Sequence, residues 1–112
     1  MNIIDFSDFQ KLEIRVGTIL EASTFEKAKK PAYKLVIDFG ELGIKKSSAQ
    51  FTSRYQIEDL IGKQVLAVVN FAPKQIADFM SECLVLGVYA NSEQDVVLIT
   101  TDFKVPNGSK LG

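Results

Sequence analysis

The 112-residue sequence predicts a mainly β protein, a small barrel of about five strands with short helical segments. Three observations carry that prediction. From Leu12 to Ala22 the even positions read Leu12, Ile14, Val16, Thr18, Leu20 and Ala22, while the odd ones open with Glu13, Arg15 and Gly17. Such a period of two marks a long strand with one face buried. Solid apolar runs follow at 65–69, 84–88 and 96–99. Between them lie short Gly- and Pro-bearing links, with none of the long amphipathic stretches that βαβ crossovers require.

The remaining elements follow in chain order. Asp5–Lys11 offers capping residues and two phenylalanines, and is read as a helical turn leading into the first strand. Gly17 falls inside that strand, where a glycine marks a bend or bulge of the kind that turns a barrel corner. A lysine-rich loop, 25–31, ends at Pro31. Tyr33–Phe39 and Ile44–Phe51, joined by Gly40-Glu41-Leu42-Gly43, read as a hairpin. Within 52–62 the spacing of Tyr55, Ile57, Leu60 and Ile61 predicts a short helix closed by Gly62. Lys74–Met80 is read as a further helical turn, and Val105–Gly112 as turn chemistry. The whole of 1–112 is taken as one domain.

Strands that are apolar on both sides are buried on both sides. A barrel interior covers one face only, so a second copy of the chain is the expected cover for 65–69, 84–88 and 96–99. Ile3, Ile4, Phe6 and Phe9 form an apolar N-terminal arm that should pack on something.

Composition narrows the function classes. Thirteen basic and fourteen acidic residues leave a net charge of −1, unlike a strongly basic nucleic-acid-coating protein. Cys83 is the only cysteine and there is no histidine. An internal disulfide and Cys/His zinc sites are thereby excluded, and no cofactor or metal is expected. With no histidine, no activated nucleophile and no phosphate loop, catalysis is rejected. The N-terminus lacks a signal-peptide pattern and no apolar run approaches a membrane span, so a cytoplasmic protein without membrane insertion is expected.

Five strands, a bent first strand and a short helix between the third and fourth together describe an OB-type barrel. Leu12-Glu13-Ile14-Arg15-Val16-Gly17-Thr18-Ile19 resembles the opening strand of the tRNA-binding OB domains found at the C-terminus of bacterial methionyl-tRNA synthetases and as freestanding dimers. Asn70-Phe71-Ala72-Pro73-Lys74-Gln75-Ile76, then Ser81-Glu82 and Leu84-Val85-Leu86-Gly87, resembles their second signature. Lys34–Gly40, Ile44-Lys45, Ser47-Ser48-Ala49-Gln50 and Val105-Pro106-Asn107-Gly108 are more similar still to the CsaA branch, the export-related chaperones.

The resemblance implies a homodimeric OB fold that binds unfolded or preprotein polypeptide and works with the Sec export machinery; its alternative is a shape-reading tRNA module. It places Arg15, Lys34, Lys45, Ser47, Ser48, Gln50, Asn70, Lys74 and Ser81 as candidate peptide or nucleic-acid contacts, with Lys46 and Arg54 as further basic candidates. For Ser47, Ser48, Gln50 and Asn70 a purely structural role, bonding local backbone, stands beside the contact role. Phe51, Tyr55, Phe71, Phe79 and Met80 are candidates for an apolar peptide groove, with burial in the core as the other reading of the aromatics. Ile3, Ile4, Phe6, Phe9, Leu84, Leu86, Val105 and Leu111 are assigned to the dimer seam. Asp78 and Met80 stand where relatives carry a glycine and a basic residue before the Ser-Glu pair, and an acidic residue there repels phosphate. Cys83 is read as an inert buried thiol.

Overall fold

The computed structural model describes residues 1–112. In chain order its elements are α1 (Phe6–Gln10), β1 (Ile14–Thr24), β2 (Tyr33–Asp38), a 3-10 turn (Gly40–Leu42), β3 (Ile44–Ala49), α2 (Ile57–Leu60), β4 (Gln64–Val68), β5 (Lys74–Ile76), β6 (Phe79–Ser81), β7 (Leu84–Val85), β8 (Gly87–Tyr89) and β9 (Val96–Leu98). Five strands form one antiparallel sheet in the order β3-β2-β1-β4-β7; β5 with β6 and β8 with β9 make two small hairpins. The main sheet curls into a nearly closed barrel, the OB-type architecture read from the sequence.

The alternation in β1 decides what lies inside. Gly17 and Ile19 face the barrel core with Leu35, Ile37, Phe39 and Val65, whereas Ile14 and Val16 face outward. Leu60 on α2 is fully buried and plugs one end of the barrel. The start of α2 is fixed by the Gln56 amide donating to the Asp59 carboxylate. Its end is fixed by Gly62, at φ +86, whose amide donates to the Ile19 carbonyl.

Gly17 does not make the bend expected of it. The register of β1 against β2 slips between Ile19 and Glu21, so the corner is a bulge two residues further on. Gly17 is required by close packing instead, since a Cβ there would stand 2.6 Å from Ile37 Cγ2 and 2.7 Å from a Phe39 ring carbon.

The outer face of β1 and β4 is covered differently from the sequence expectation. Ile14, Val16, Leu66 and Val68 are buried beneath Leu12, Leu86, Ile99 and Val105 of the same chain. The C-terminal tail is laced to β1 by three backbone bonds: Val16 to Ser109, Gly108 to Val16 and Leu111 to Ile14. For β4, then, the missing cover is the chain's own end. Leu84, Val88 and Tyr89 nevertheless stay exposed, as do Ile3, Ile4, Phe6 and Phe103.

The helical turn expected over Lys74–Met80 is also overturned. This segment is the β5–β6 hairpin, turning at Ala77-Asp78 with Ala77 at φ +51. The Gln75 side chain donates to the Ala77 carbonyl and supports a conformation that a non-glycine residue otherwise disfavours. Phe79 is thereby turned under the hairpin, edge-on to Phe25 at 5.4 Å, and Ala32 completes a small satellite core.

Replacing Gly17 by Ala should cost about 1–3 kcal/mol through overpacking against Ile37 and Phe39. Urea unfolding of the two proteins measures this. An unchanged midpoint would show that the interior yields at this point.

Candidate functional site

The barrel is nearly, but not fully, closed where β3 approaches β7, and the join is made largely by side chains. The Ser47 hydroxyl donates to the Cys83 carbonyl at 3.1 Å. The Glu82 amide donates to the Lys46 carbonyl while the Lys46 amide donates back to the Glu82 carboxylate, both at 2.8 Å. The Ser48 amide donates to Ser81 Oγ at 3.1 Å. Beyond these bonds the two strands part around a cleft of about 400 Å³. Phe51, Leu84, Leu86 and Val96 give it an apolar lining, Ser48, Gln50 and Ser81 supply neutral polar groups, and Lys74 and Glu93 supply one charge of each sign.

Seven residues singled out in the sequence therefore meet in one place: Ser48, Gln50, Phe51, Lys74, Ser81, Leu84 and Leu86. Phe51 enters as buried lining, 3% exposed, so it does not project as a platform. Leu84 and Leu86, expected at a dimer seam, line the cleft from the outward side of the strand that bonds to β4.

Other candidates lie elsewhere. Arg15 chelates Glu13 through Nε and Nη2 and donates through Nη1 to the Gly108 carbonyl, which ties β1 to the tail. Asn70 accepts from the Glu13 amide and donates to the Lys11 carbonyl, fixing the entry to β1. Ser47 is fully buried and holds the strand join. The Tyr55 hydroxyl accepts from the Leu98 amide, and its ring packs edge-on to Phe51 in the core. Phe79 is buried in the satellite core. Phe71 and Met80 are exposed but outside the cleft lining. Arg15, Ser47, Asn70, Tyr55 and Phe79 each have partners inside the fold, which is the structural role that stood beside contact.

A second surface lies on the outer side of β2 and β3. Lys34 Nζ stands 5.1 Å from the Phe25 ring centre and 5.6 Å from that of Phe79, and Lys46 Nζ stands 5.4 Å from the same Phe79 ring. Lys45, one residue before Lys46, points to the opposite face of β3. Asp78, at the hairpin tip, is paired with Lys27 at 2.8 Å, and that bond lowers its carboxyl below the usual range. Its charge is therefore partly answered within the protein. Among the residues assigned to a dimer seam, Ile3, Ile4, Phe6 and Leu111 are exposed, whereas Phe9, Leu86 and Val105 are half-buried in their own chain.

Sequence reasoning missed Val85, Gly87, Tyr89, Glu93 and Val96 as cleft residues. Inside an unbroken apolar run, nothing in the residue types distinguishes the positions that face a cleft from those that face the core.

The model of the family described as "Putative tRNA binding domain" matches residues 14–110. The chain belongs to this tRNA-binding-domain family. Methionine–tRNA ligase of Methanococcus vannielii is 33% identical over 111 residues, 99% of this chain but only 16% of the ligase. That of Methanococcoides burtonii is 36% identical over 97 residues, 87% of the chain and 14% of the ligase. The chain thus spans about a sixth of these enzymes. Two solved structures match end to end. Chaperone CsaA from Bacillus anthracis superposes with a TM-score of 0.93 at 51% identity, covering 99% of this chain and 100% of that one. CsaA chaperone protein from Picrophilus torridus gives 0.89 at 52% identity, covering 98% and 100%. Within the family the chain is CsaA-type, as the sequence resemblance implied.

Burial raises the Cys83 thiol from 9.0 to about 11, against a smaller lowering by its hydrogen bond to Ser47. The folded value lies above the unfolded one, so the thiol's contribution to stability is complete below pH 9 and is lost as pH rises toward 11. The stability difference between the parent and Cys83→Ala should shrink by about 2 kcal/mol from pH 8 to pH 11. Paired denaturant titrations read this directly. A constant difference would contradict the buried-thiol assignment.

Proposed function

We propose that the chain is a CsaA-like homodimeric chaperone that binds unfolded or export-bound polypeptide in the seam cleft, without catalysis. The observation that carries this reading is the cleft itself. Its apolar lining is rimmed by hydroxyl and amide groups and by a single charge of each sign, which suits varied peptide segments better than a polyanion. The end-to-end likeness to two chaperone structures supports the same reading. This chain spans about a sixth of the ligases' length, so their activity is not carried over to it.

The exposed arm of Ile3, Ile4 and Phe6, with Val88 and Phe103, supplies the apolar surface for self-association. A standard interface hides ~800 Å² per partner, about a tenth of the 7450 Å² that one chain exposes. In this reading the N-terminal arm and the C-terminal tail meet at the dimer seam of a single-domain protein. A cytoplasmic setting and contact with the Sec export machinery follow as its physiological context.

A tRNA-binding role has its own supporting observation. Lys34 and Lys46 bring two ammonium groups over one Phe79 ring, a convergence of like charge that an anion would relieve. The loop bearing Lys27, Lys29 and Lys30 joins β1 to β2 beside them, and in OB folds the strand 2–3 face and its flanking loops bind oligonucleotides.

Titration of a fluorescent, leucine-rich unfolded peptide should show saturable binding that changes less than about threefold between 0.1 and 0.5 M salt, where surface charge contacts are screened. Indifference to every such peptide removes the chaperone reading. Binding of tRNA should instead fall steeply with salt and weaken further in the Lys34→Ala/Lys46→Ala double variant. Sedimentation at micromolar concentration should give twice the chain mass, and a stable monomer would overturn the dimer.

A further inference from the structure

The backbone of residues 83–90 runs along the cleft as one nearly continuous strand, β7 into β8. Its even residues face β4 and β9. Leu86 donates to the Leu66 carbonyl and accepts from the Ile99 amide, and Ala90 donates to the Asp95 carbonyl. In an antiparallel ladder the bonded pairs alternate, so Leu84, Leu86, Val88 and Ala90 form the bonded set. The odd residues face the other way, toward β3. Of these, the Cys83 carbonyl is taken by Ser47 and Ser81. The amides and carbonyls of Val85, Gly87 and Tyr89 have no partner, and all three residues line the cleft.

The facing edge of β3 is likewise open along part of its length. Pairing with β2 engages Ala49, Ser47 and Lys45 from one side, and the Lys46 and Ser48 amides on the other side are capped by Glu82 and Ser81. Past that point the Ser48 carbonyl receives only a 3.5 Å contact from Ser47 Oγ, and the Gln50 amide has no partner. Two strand edges thus face one cleft, and each offers alternating donors and acceptors. On the 85–89 edge these recur at every second residue, roughly 6.8 Å apart, the repeat of an extended chain.

We propose that an extended polypeptide segment adds to the Val85–Tyr89 edge in the cleft as a β-strand, held on that edge by its main chain. This deepens the polypeptide-binding reading above and rests on it. The chemistry of the edge selects the occupant. Main-chain donors and acceptors at strand spacing match another extended peptide backbone, whereas a nucleic acid presents no such alternation. Lys74 carries no ion-pair partner, and with Glu93 it places one charge of each sign on the cleft lining. Apolar Leu84, Leu86 and Val96 receive alternate side chains, so sequence enters only as a preference for β-prone segments free of proline.

The test uses the full-length protein and a capped octapeptide of alternating leucine and threonine, with a series of copies N-methylated at one residue each. Blocking an amide that bonds the edge should weaken binding roughly three- to tenfold, and blocking its neighbours should not, giving a period of two along the peptide. By NMR hydrogen exchange, the Val85, Gly87 and Tyr89 amides should become protected on peptide binding, while Leu86 and Val88, already bonded, change little. Tight binding with no periodic loss and no protection at 85, 87 and 89 overturns strand addition and leaves the chaperone reading standing. Failure of the unmodified octapeptide and of all unfolded peptides to bind overturns both.

Discussion

The join between β3 and the 82–85 segment is the constraint on which the rest of the molecule depends. Five antiparallel strands can curl, but the curl becomes a barrel only if the two ends of the sheet are held together. Here a regular ladder is replaced by Ser47 on Cys83, Ser81 on Ser48 and the reciprocal pair of Lys46 and Glu82. Side-chain oxygens take the place of backbone groups at three points, so the strands are fastened at one end and diverge at the other. The cleft is a consequence of that substitution. An unbroken β3–β7 ladder would give a tighter barrel with no seam.

The same economy appears on the outer face. β1 is long enough to pair with β2 through its C-terminal half and with β4 through its N-terminal half. Its outward side, Ile14 and Val16, would be left wet by the barrel alone. The chain returns at Pro106–Leu111 to cover it, and Arg15 fastens that return by donating to Gly108. Gly108, at φ +92, lies with a would-be Cβ 2.7 Å from the Phe39 carbonyl, so the tail can approach only as glycine. What remains uncovered is less than the apolar runs alone suggest: the N-terminal arm, Leu84, Val88, Tyr89 and Phe103 are exposed.

How much of this was legible in the sequence depends on which physical signal each element carries. The strand β1 and the glycine-linked hairpin of β2 and β3 were plain, but the alternation in β1 marked the wrong face. Even Ile14 and Val16 lie outside the barrel beneath the tail, Leu20 is exposed, and odd Gly17 and Ile19 face the core. The helical turn assigned to 74–80 failed because a hairpin of two three-residue strands is too short to show a period, and its turn rests on Ala77 at positive φ where no glycine announces it. Half of the cleft was legible, through the hydroxyl and amide groups of Ser48, Gln50 and Ser81. The other half was not. Gly87 and Tyr89 act there through their position on a backbone edge, and main-chain groups are identical at every residue. Ser47 and Asn70 show the converse: polar side chains that look available in sequence are occupied by the fold's own backbone.

Recognition through a strand edge has a consequence for how strongly and how selectively such a site can act. Each main-chain hydrogen bond exchanged against water is worth about 0.5–1.5 kcal/mol net, and ordering an extended segment costs about 1–2 kcal/mol per residue. A short seam therefore holds a peptide weakly unless apolar side chains contribute as well, which is the part that Leu84, Leu86 and Val96 are placed to take. Weak, sequence-tolerant contact is what a holding chaperone needs, because a client must be released unfolded. Two copies of the seam in a dimer would raise retention of a long chain without tightening either site, since the second contact is made at the high effective concentration set by the first. A polypeptide already folded offers neither free edges nor an extended run. On the strand-addition proposal, discrimination between folded and unfolded chains would come from the geometry of the seam, with no need for a sequence motif.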